Sequence, residues 1–187
     1  MDSDFVLPIK RIGEDGWREN LQQYLESYDI LCVGVAPEII AACEKELCSA
    51  LPEDMKQYYT FFGGIDSSDF MYGLKPVEEL ELLFAANFTF VSLHFKLYEI
   101  NTMIFFSHSP GNDPLCFDKD SGEIYLFSHD PVKKAKVFAD FNQYRLFALL
   151  ETEKLLGDSL TEDLENQVKE RYLSGEGIDY AFRDMKL

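Results

Sequence analysis

Apolar side chains in the first third of the chain recur every three or four residues, which is the period of an amphipathic α-helix. They predict three helices, over residues 15–28, 37–47 and 52–62. Pro37 and Pro52 stand at helix starts, where a missing amide proton costs nothing. Gly63 follows the third series and can adopt the left-handed conformation that ends a helix. The pattern therefore predicts three short helices that each bury one face.

The period changes in the middle of the chain. Residues 88–98 and 102–106 are rich in aromatic and β-branched side chains, and they predict two antiparallel strands. Residues 115–117 and 123–127 flank the turn-forming segment 118–122, which predicts a β-hairpin. We expect these strands to form the sheet of the protein.

Two more amphipathic series predict helices near the end of the chain, over residues 140–156 and 159–172. Gly157 is the predicted stop of the first helix. Ser159 and Glu162 have the spacing of a capping box at the start of the second. The last ten residues follow a Gly-rich break, and we expect them to be loosely held.

Helices followed by strands and then by helices indicate an α+β fold, in which one antiparallel or mixed sheet is covered by helices. We expect one domain over residues 1–157 and an acidic helical extension over residues 158–187. Segment 74–86 is compatible either with a short helix after Pro76 or with a partly extended chain. Residues 128–136 are polar, and no element is predicted there.

Composition narrows the class of partner. The chain has 34 Asp and Glu against 17 Lys and Arg, a formal net charge of -17. Such a chain should repel nucleic acid and anionic membranes, and should attract basic partners over ~8–10 Å at physiological salt. The charge is equally compatible with plain solubility. Charge alone therefore argues against nucleic acid and anionic membranes as partners, but it does not identify the partner.

The compartment is predicted from what the sequence lacks. No segment is apolar enough to span a bilayer, and the acidic residues 1–5 do not resemble the start of a signal peptide. The cysteines form no CxxC pair and no disulfide-scaffold spacing; they are Cys32, Cys43, Cys48 and Cys116. We expect a reduced, cytoplasmic protein.

Several motifs occur in a characteristic order. They are residues 39–47 with Glu44, Leu51-Pro52-Glu53-Asp54, Gly63-Gly64, residues 111–118 and residues 123–129. In this order the chain resembles the SUKH superfamily, the fungal glucan-synthesis-regulator and bacterial immunity family, over residues 33–156. The resemblance implies an α+β domain with a mixed, twisted sheet. It also implies a binding role and not an enzymatic one.

Bacterial members of that superfamily look like immunity proteins that bind and block a toxin, often a nuclease. A nuclease cleft is basic, so an acidic inhibitor can occupy it as a phosphate mimic. We therefore expect a protein partner, a toxin domain with a basic cleft. The alternative is a regulatory scaffold related to the cell-wall glucan-synthesis regulators, with the extra tail helix as its docking element.

Loop carboxylates that the fold cannot bury are the candidate contacts with such a partner. They are Asp66, Asp69, Asp113, Asp118, Asp120 and Glu123. Asp118 and Asp120 are also ordinary turn-forming residues, and Asp113 is as suited to capping its own loop. These alternatives stay open at the level of sequence.

Enzymatic chemistry has weak support. The segment after Asp118 begins like a calcium loop, but its glycine comes one residue early and His129 replaces the closing glutamate. No nucleophile elbow, phosphate loop or dinucleotide motif is present, and we expect neither metal nor cofactor. A hydrolytic site would require His108, His129 and Asp113 to meet in a cleft. We therefore expect no enzyme activity.

Overall fold

A computed structural model of the protein describes residues 7–64, 73–157 and 160–187. In those residues the helices are α1 (Trp17–Ser27), α2 (Pro37–Leu47), α3 (Glu53–Phe62), α4 (Thr89–His94), α5 (Leu97–Ile100), α6 (Phe141–Leu156), α7 (Glu162–Tyr172) and α8 (Tyr180–Lys186). The strands are β1 (Glu81–Leu82), β2 (Met103–His108), β3 (Pro114–Asp118), β4 (Ile124–His129) and β5 (Val132–Phe138). Segment 74–86 combines both predicted alternatives, since a 3₁₀ turn, Val77–Glu79, precedes β1.

The five strands form one sheet in chain order, and each strand is antiparallel to the next. The predicted hairpin is β3–β4, in which Cys116 pairs with Tyr125. Helices precede the main strands and follow them. The α+β fold with helices packed on a single sheet is thus confirmed, and within the described residues the sheet is purely antiparallel.

Both faces of the sheet are buried, and neighbouring residues of β2 enter different hydrophobic clusters. Ile104 and Phe106 belong to a large cluster with α1, α2, α3 and α6. Met103 and Phe105 belong to a smaller cluster with Val91 of α4. Alternate side chains of a strand point to opposite faces, so a strand that is covered on both faces is apolar throughout.

The large cluster is held by helices that the sequence predicted well. α1, α2 and α3 lie within or close to the predicted ranges, and Pro37 is the first residue of α2 while Pro52 immediately precedes α3. Tyr24 and Tyr59 are fully buried. The ring of Phe106 lies 4.9 Å from that of Tyr144 in α6. Aromatic contacts therefore help to join the helical layer to the sheet.

The strand predicted over residues 88–98 is wrong, because this segment forms α4 and α5. Phe88 packs on Phe105 at 5.0 Å, and Phe95 packs on Phe127 at 5.2 Å. The aromatic residues that suggested a strand in fact cover a sheet face. Tertiary packing outweighs local β-propensity here, as it often does.

The sequence also missed β5, which pairs with β4 from Ile124 to His129. Its lysines made the segment look polar, but buried Ala135 and Val137 alternate with Lys134 and Lys136. β5 is the last strand of the sheet order. Its edge is partly covered, because the Asp179 N–H donates to the Lys136 carbonyl at 2.9 Å.

The end of the chain is packed and not loosely held, so that prediction is wrong. Phe182 of α8 is 5% exposed, and the Arg183 guanidinium donates to the Leu173 carbonyl at 3.1 Å. Helix α7 forms as predicted, but its cap is Thr161, whose hydroxyl accepts the Leu164 N–H at 3.2 Å. Ser159, the predicted cap, lies outside the described residues. The division of the chain at residue 157 stays a prediction.

Candidate protein-binding site

The motifs at residues 39–47, 51–54 and 63–64 form a packing module. The Glu44 carboxylate accepts the Leu51 N–H at 2.8 Å and so joins the end of α2 to the approach to α3. Gly63 has φ 63°, which favours glycine, and a Cβ there would lie 2.3 Å from the Val33 carbonyl oxygen. A Cβ on Gly64 would lie 2.7 Å from the backbone of Pro76. The glycines therefore permit close backbone contacts and carry no chemistry.

Two of the candidate carboxylates, Asp66 and Asp69, lie outside the described residues. Asp118 shapes the β3–β4 turn, because its carboxylate accepts the backbone N–H groups of Asp120 at 2.8 Å and Ser121 at 3.3 Å. The other oxygen of Asp118 accepts the Thr102 hydroxyl at 3.0 Å. The structure thus gives Asp118 the turn-forming role.

Glu123, at the same turn, is also engaged within the chain. It forms an ion pair with Lys136 at 2.5 Å and accepts the Tyr125 hydroxyl at 2.8 Å. The hydrogen bond from Lys136, followed by that from Tyr125, lowers the pKa of Glu123. Asp120, by contrast, is exposed. The hairpin therefore offers a partner one outward carboxylate where three were expected.

Asp113 does not project from its loop. It is 1% exposed, so the expectation that the fold cannot bury it is wrong. Its carboxylate accepts the His129 N–H at 3.1 Å and lies 2.5 Å from Nδ1 of the His129 ring. The loop is closed beneath it, because the Ser109 N–H donates to the Asp113 carbonyl at 2.8 Å. These contacts replace hydration of the charge, which allows its burial.

His108, at the end of β2, and His129, at the end of β4, have different surroundings. The ring of His108 packs against Phe105 at 4.7 Å, and burial lowers its pKa. His108 Nδ1 is buried and has no hydrogen-bond partner, whereas the His129 ring is paired with Asp113. Within the described residues, no hydrogen bond connects His108 to that pair. His129 and Asp113 therefore form a hydrogen-bonded pair, and His108 is not part of it.

A polar cavity of about 330 Å³ opens next to His108. Lys75 and Glu79 also line it, but the Lys75 ammonium already pairs with Glu81 at 3.2 Å. In the described part of the chain, no group of three or more His, Cys, Asp or Glu side chains is placed to hold a metal ion. The described residues that line the cavity therefore do not form a metal site.

Carboxylates that sequence reasoning missed lie on α2 and on the 3₁₀ turn that packs against it. We call them the acidic ridge; they are Glu38, Glu44, Glu46, Glu78 and Glu79. All except the half-buried Glu44 are exposed. The thiol of Cys43 lies among them, and its pKa is raised to about 11, first by burial and then by Glu46, Glu44 and Glu78.

The acidic ridge can be recognised from the sequence. Pro37 opens α2 with Glu38 in its first turn, and Pro76 precedes Glu78 and Glu79 in the same way. A prediction restricted to loop carboxylates does not include acids on helices. A search for uncompensated acids on the predicted helix faces would have found α2, whose single cation is Lys45.

The helices, the antiparallel sheet and the packing module together define an α+β protein of the SUKH type. Residues 34–145 match the model of the SMI1 / KNR4 family (SUKH-1), and the chain belongs to that family. The match runs from the start of the packing module into α6 and includes the whole sheet. A search of curated proteins finds no match to this chain.

Across residues 7–64, 73–157 and 160–187, no helix combines the length and apolar character needed to cross a bilayer.

Proposed function

We propose that this protein is an immunity-type inhibitor that neutralises a toxin domain by binding over its basic cleft in the cytoplasm. The observation that carries the proposal is a SUKH-1 domain with a net charge of -17 and exposed carboxylates on Glu38, Glu46, Glu78 and Glu79. Among the described residues these four form no ion pair, whereas Glu44 pairs with Lys56 at 3.6 Å. Such a surface is attracted to a cleft built to hold a polyanion. No bond is made or broken, and the protein acts by occupying the cleft.

The acidic ridge is a better contact surface than the hairpin originally proposed. Asp118 and Glu123 are engaged within the chain, and Asp113 is buried. In the ridge, Glu38, Glu46, Glu78 and Glu79 are exposed on rigid elements. Because the main chain of these elements is already ordered, a partner that binds there immobilises only the glutamate side chains and does not have to order a loop.

The test uses the toxin domain encoded in the neighbouring reading frame and a fourfold ridge variant, Glu38→Gln, Glu46→Gln, Glu78→Gln and Glu79→Gln. We expect the variant to associate with the toxin at least about tenfold more slowly at low salt and to protect cells poorly. A matched control removes four exposed acids from the tail segment: Glu162→Gln, Asp163→Asn, Glu170→Gln and Glu176→Gln. Association should stay near that of the unmodified protein.

Ionic strength separates electrostatic binding from binding by shape. The association rate of the unmodified protein should fall steeply between low and physiological salt. An affinity that does not change with ionic strength would contradict the electrostatic mechanism. Equal losses in the ridge and tail variants would show that overall charge, and not the ridge, guides the partner. Failure of every neighbouring toxin domain to bind would remove the immunity role itself.

The second candidate, a regulatory scaffold that docks through its tail, is supported by exposed apolar side chains on α8. Tyr180 is 41% exposed and Met185 is 61% exposed. Deleting residues 158–187 is an unsuitable test, because Leu173 and Phe182 belong to the large cluster. The double variant Tyr180→Ser, Met185→Ser leaves those residues in place. The scaffold role is contradicted if every cellular partner is still recovered with this variant.

A further inference from the structure

The segment that joins α1 to α2 runs over the carboxyl end of α3, and no described residue pairs with its main-chain edge. Its two ends are fixed, because the Ile30 N–H donates to Leu25 and the Val35 N–H donates to Tyr59, each at 2.9 Å. Among the described residues, no hydrogen bond joins the main chain of residues 31–34 to any other main-chain group. Unpaired N–H and C=O groups of this kind are a template for an added strand.

Exposure along the segment alternates as in an extended chain. The side chains of Leu31 and Val33 are 90% and 82% exposed, while Cys32 between them is half-buried. Gly34 faces the protein, because a Cβ there would lie 2.1 Å from the Thr60 carbonyl oxygen. The side chains of Leu31 and Val33 therefore point to solvent, while Cys32 and Gly34 face α3. The alternation ends at Val35, whose side chain is half-buried against the large cluster.

The same alternation fixes the direction of the main-chain groups. The Val35 N–H reaches Tyr59 of α3, and the Val33 carbonyl lies against Gly63. In an extended chain the N–H and C=O groups of alternate residues point to opposite sides. Those of Cys32 and Gly34 therefore point away from α3, where an incoming chain can pair with them.

A groove of about 270 Å³ with both apolar and polar lining residues runs beside this edge, between α1 and α3. Leu31, Cys32 and Phe61 line it, together with Gln22 and Glu26. The Phe61 ring is 37% exposed, and the guanidinium carbon of Arg18 lies 4.1 Å from its centroid. The groove thus supplies apolar contact for alternate side chains of a bound strand.

The charges around the groove indicate which kind of chain can bind in it. Exposed carboxylates flank it on α1, before the segment and at the start of α2; they are Glu19, Glu26, Asp29 and Glu38. Arg18 is the single cation of α1. A second copy of this chain would bring another net charge of -17 to the contact, which opposes self-association. A cationic strand meets no such repulsion.

We propose that residues 31–34 bind an extended segment of a partner protein by β-strand addition, with its apolar side chains in the groove and its lysine or arginine side chains beside the flanking carboxylates. This inference rests on the proposed function, because it adds a contact next to the acidic ridge for the same protein partner.

The test measures fluorescence anisotropy of a labelled ten-residue peptide of alternating valine and lysine with the full-length protein. The double variant Leu31→Lys, Val33→Lys should bind the peptide about tenfold more weakly or worse. The control variant is Leu93→Lys, Leu97→Lys, whose side chains are 72% and 64% exposed elsewhere on the surface. The two variants change net charge equally, so the control should bind within about twofold of the unmodified protein.

A second peptide, with N-methyl groups on alternate amides, keeps every side chain but cannot form the main-chain hydrogen bonds. It should lose most of the affinity. The proposal is overturned if the methylated peptide binds equally well, or if both lysine variants weaken binding alike. A dimer that sedimentation detects and that only Leu31→Lys, Val33→Lys dissociates would assign the edge to a second copy, which also overturns it.

The outcomes separate this inference from the proposed function. If a toxin domain is neutralised with undiminished affinity by Leu31→Lys, Val33→Lys, the immunity role stands and the strand site falls. If the peptide binds at residues 31–34 and no toxin domain is neutralised, the strand site stands and the immunity role falls.

Discussion

The two faces of the sheet are covered by layers of unequal depth. On one face, α1, α2, α3 and α6 contribute to a large cluster in which Tyr24 and Tyr59 are fully buried. On the other, the short helices α4 and α5 provide a thin cover, and Leu93 and Tyr98 on its outside are each 72% exposed. Burial of apolar area drives folding, so the thicker layer should hold most of the stability and the thinner one should open first.

Neighbouring residues of β2 test this difference most strongly. Phe106 is 0% exposed in the large cluster and Phe105 is 3% exposed in the small one. Phe→Ala in a core costs about 3–5 kcal/mol of unfolding free energy. We expect Phe106→Ala near the upper end, because its surroundings cannot collapse, and Phe105→Ala near the lower end, because α4 can move into the gap. Urea unfolding measures both values, and equal costs would contradict the difference between the layers.

A substitution in α4 should act locally. Val91 is 2% exposed in the small cluster, and Val91→Ala removes two buried carbon groups, at a cost of about 2 kcal/mol. Amide hydrogen exchange should accelerate in α4 and α5 while that of α6 stays unchanged. The exposed neighbour Leu93 gives the control Leu93→Ala, which should leave both rates alone. Equal acceleration in α6 would mean that the two layers unfold as one unit.

On the thick side, the start of α6 depends on a cap. The Asp140 carboxylate accepts the Gln143 N–H at 2.8 Å and pairs with Arg11 at 2.7 Å. Asp140→Ala should cost about 1 kcal/mol, because the capping bond is lost. Asp140→Asn keeps a capping acceptor and should recover most of that loss. Unfolding of both variants by urea checks the prediction; the asparagine variant should be the more stable.

The smallest expected effect is a pH dependence of stability that arises from His108, which packs on the thin side of the sheet. Burial lowers the pKa of His108 from 6.5, so the unfolded chain binds more protons just below pH 6.5 than the folded chain does. Its contribution to stability is therefore complete above pH 6.5 and falls as the pH drops through the interval between the two pKa values. His108→Gln should flatten this part of the stability curve. Unfolding from pH 7 to pH 5 measures it, and an unchanged slope in the variant would contradict the assignment.

The sequence was most reliable where one element buries one face. The 3.6-residue period of α2, with Pro37 at its start, placed that helix within a residue, and the turn residues placed the β3–β4 hairpin. Segment 88–98 defeated the same method, because its aromatic side chains serve a sheet face formed by β2 and β4. β5 was missed because its lysines concealed the alternation of Ala135 and Val137.

The candidate site shows the same limit. Sequence predicted correctly that Asp118 is suited to a turn, because the acceptors and donors are adjacent in the chain. It could not show that Asp113 lies under His129, since that contact joins residues 16 positions apart. The open edge at residues 31–34 depends on the close passage of Gly34 over α3, and no local pattern encodes that distance.

By itself, the sequence determined the order of the main elements, the family resemblance and the excess of negative charge, because each is written in local period, motif order or composition. The tertiary structure alone decided which carboxylates remain outside and which main-chain groups stay unpaired. Burial and hydrogen bonding depend on distances between segments far apart in the chain, and a one-dimensional pattern does not contain those distances.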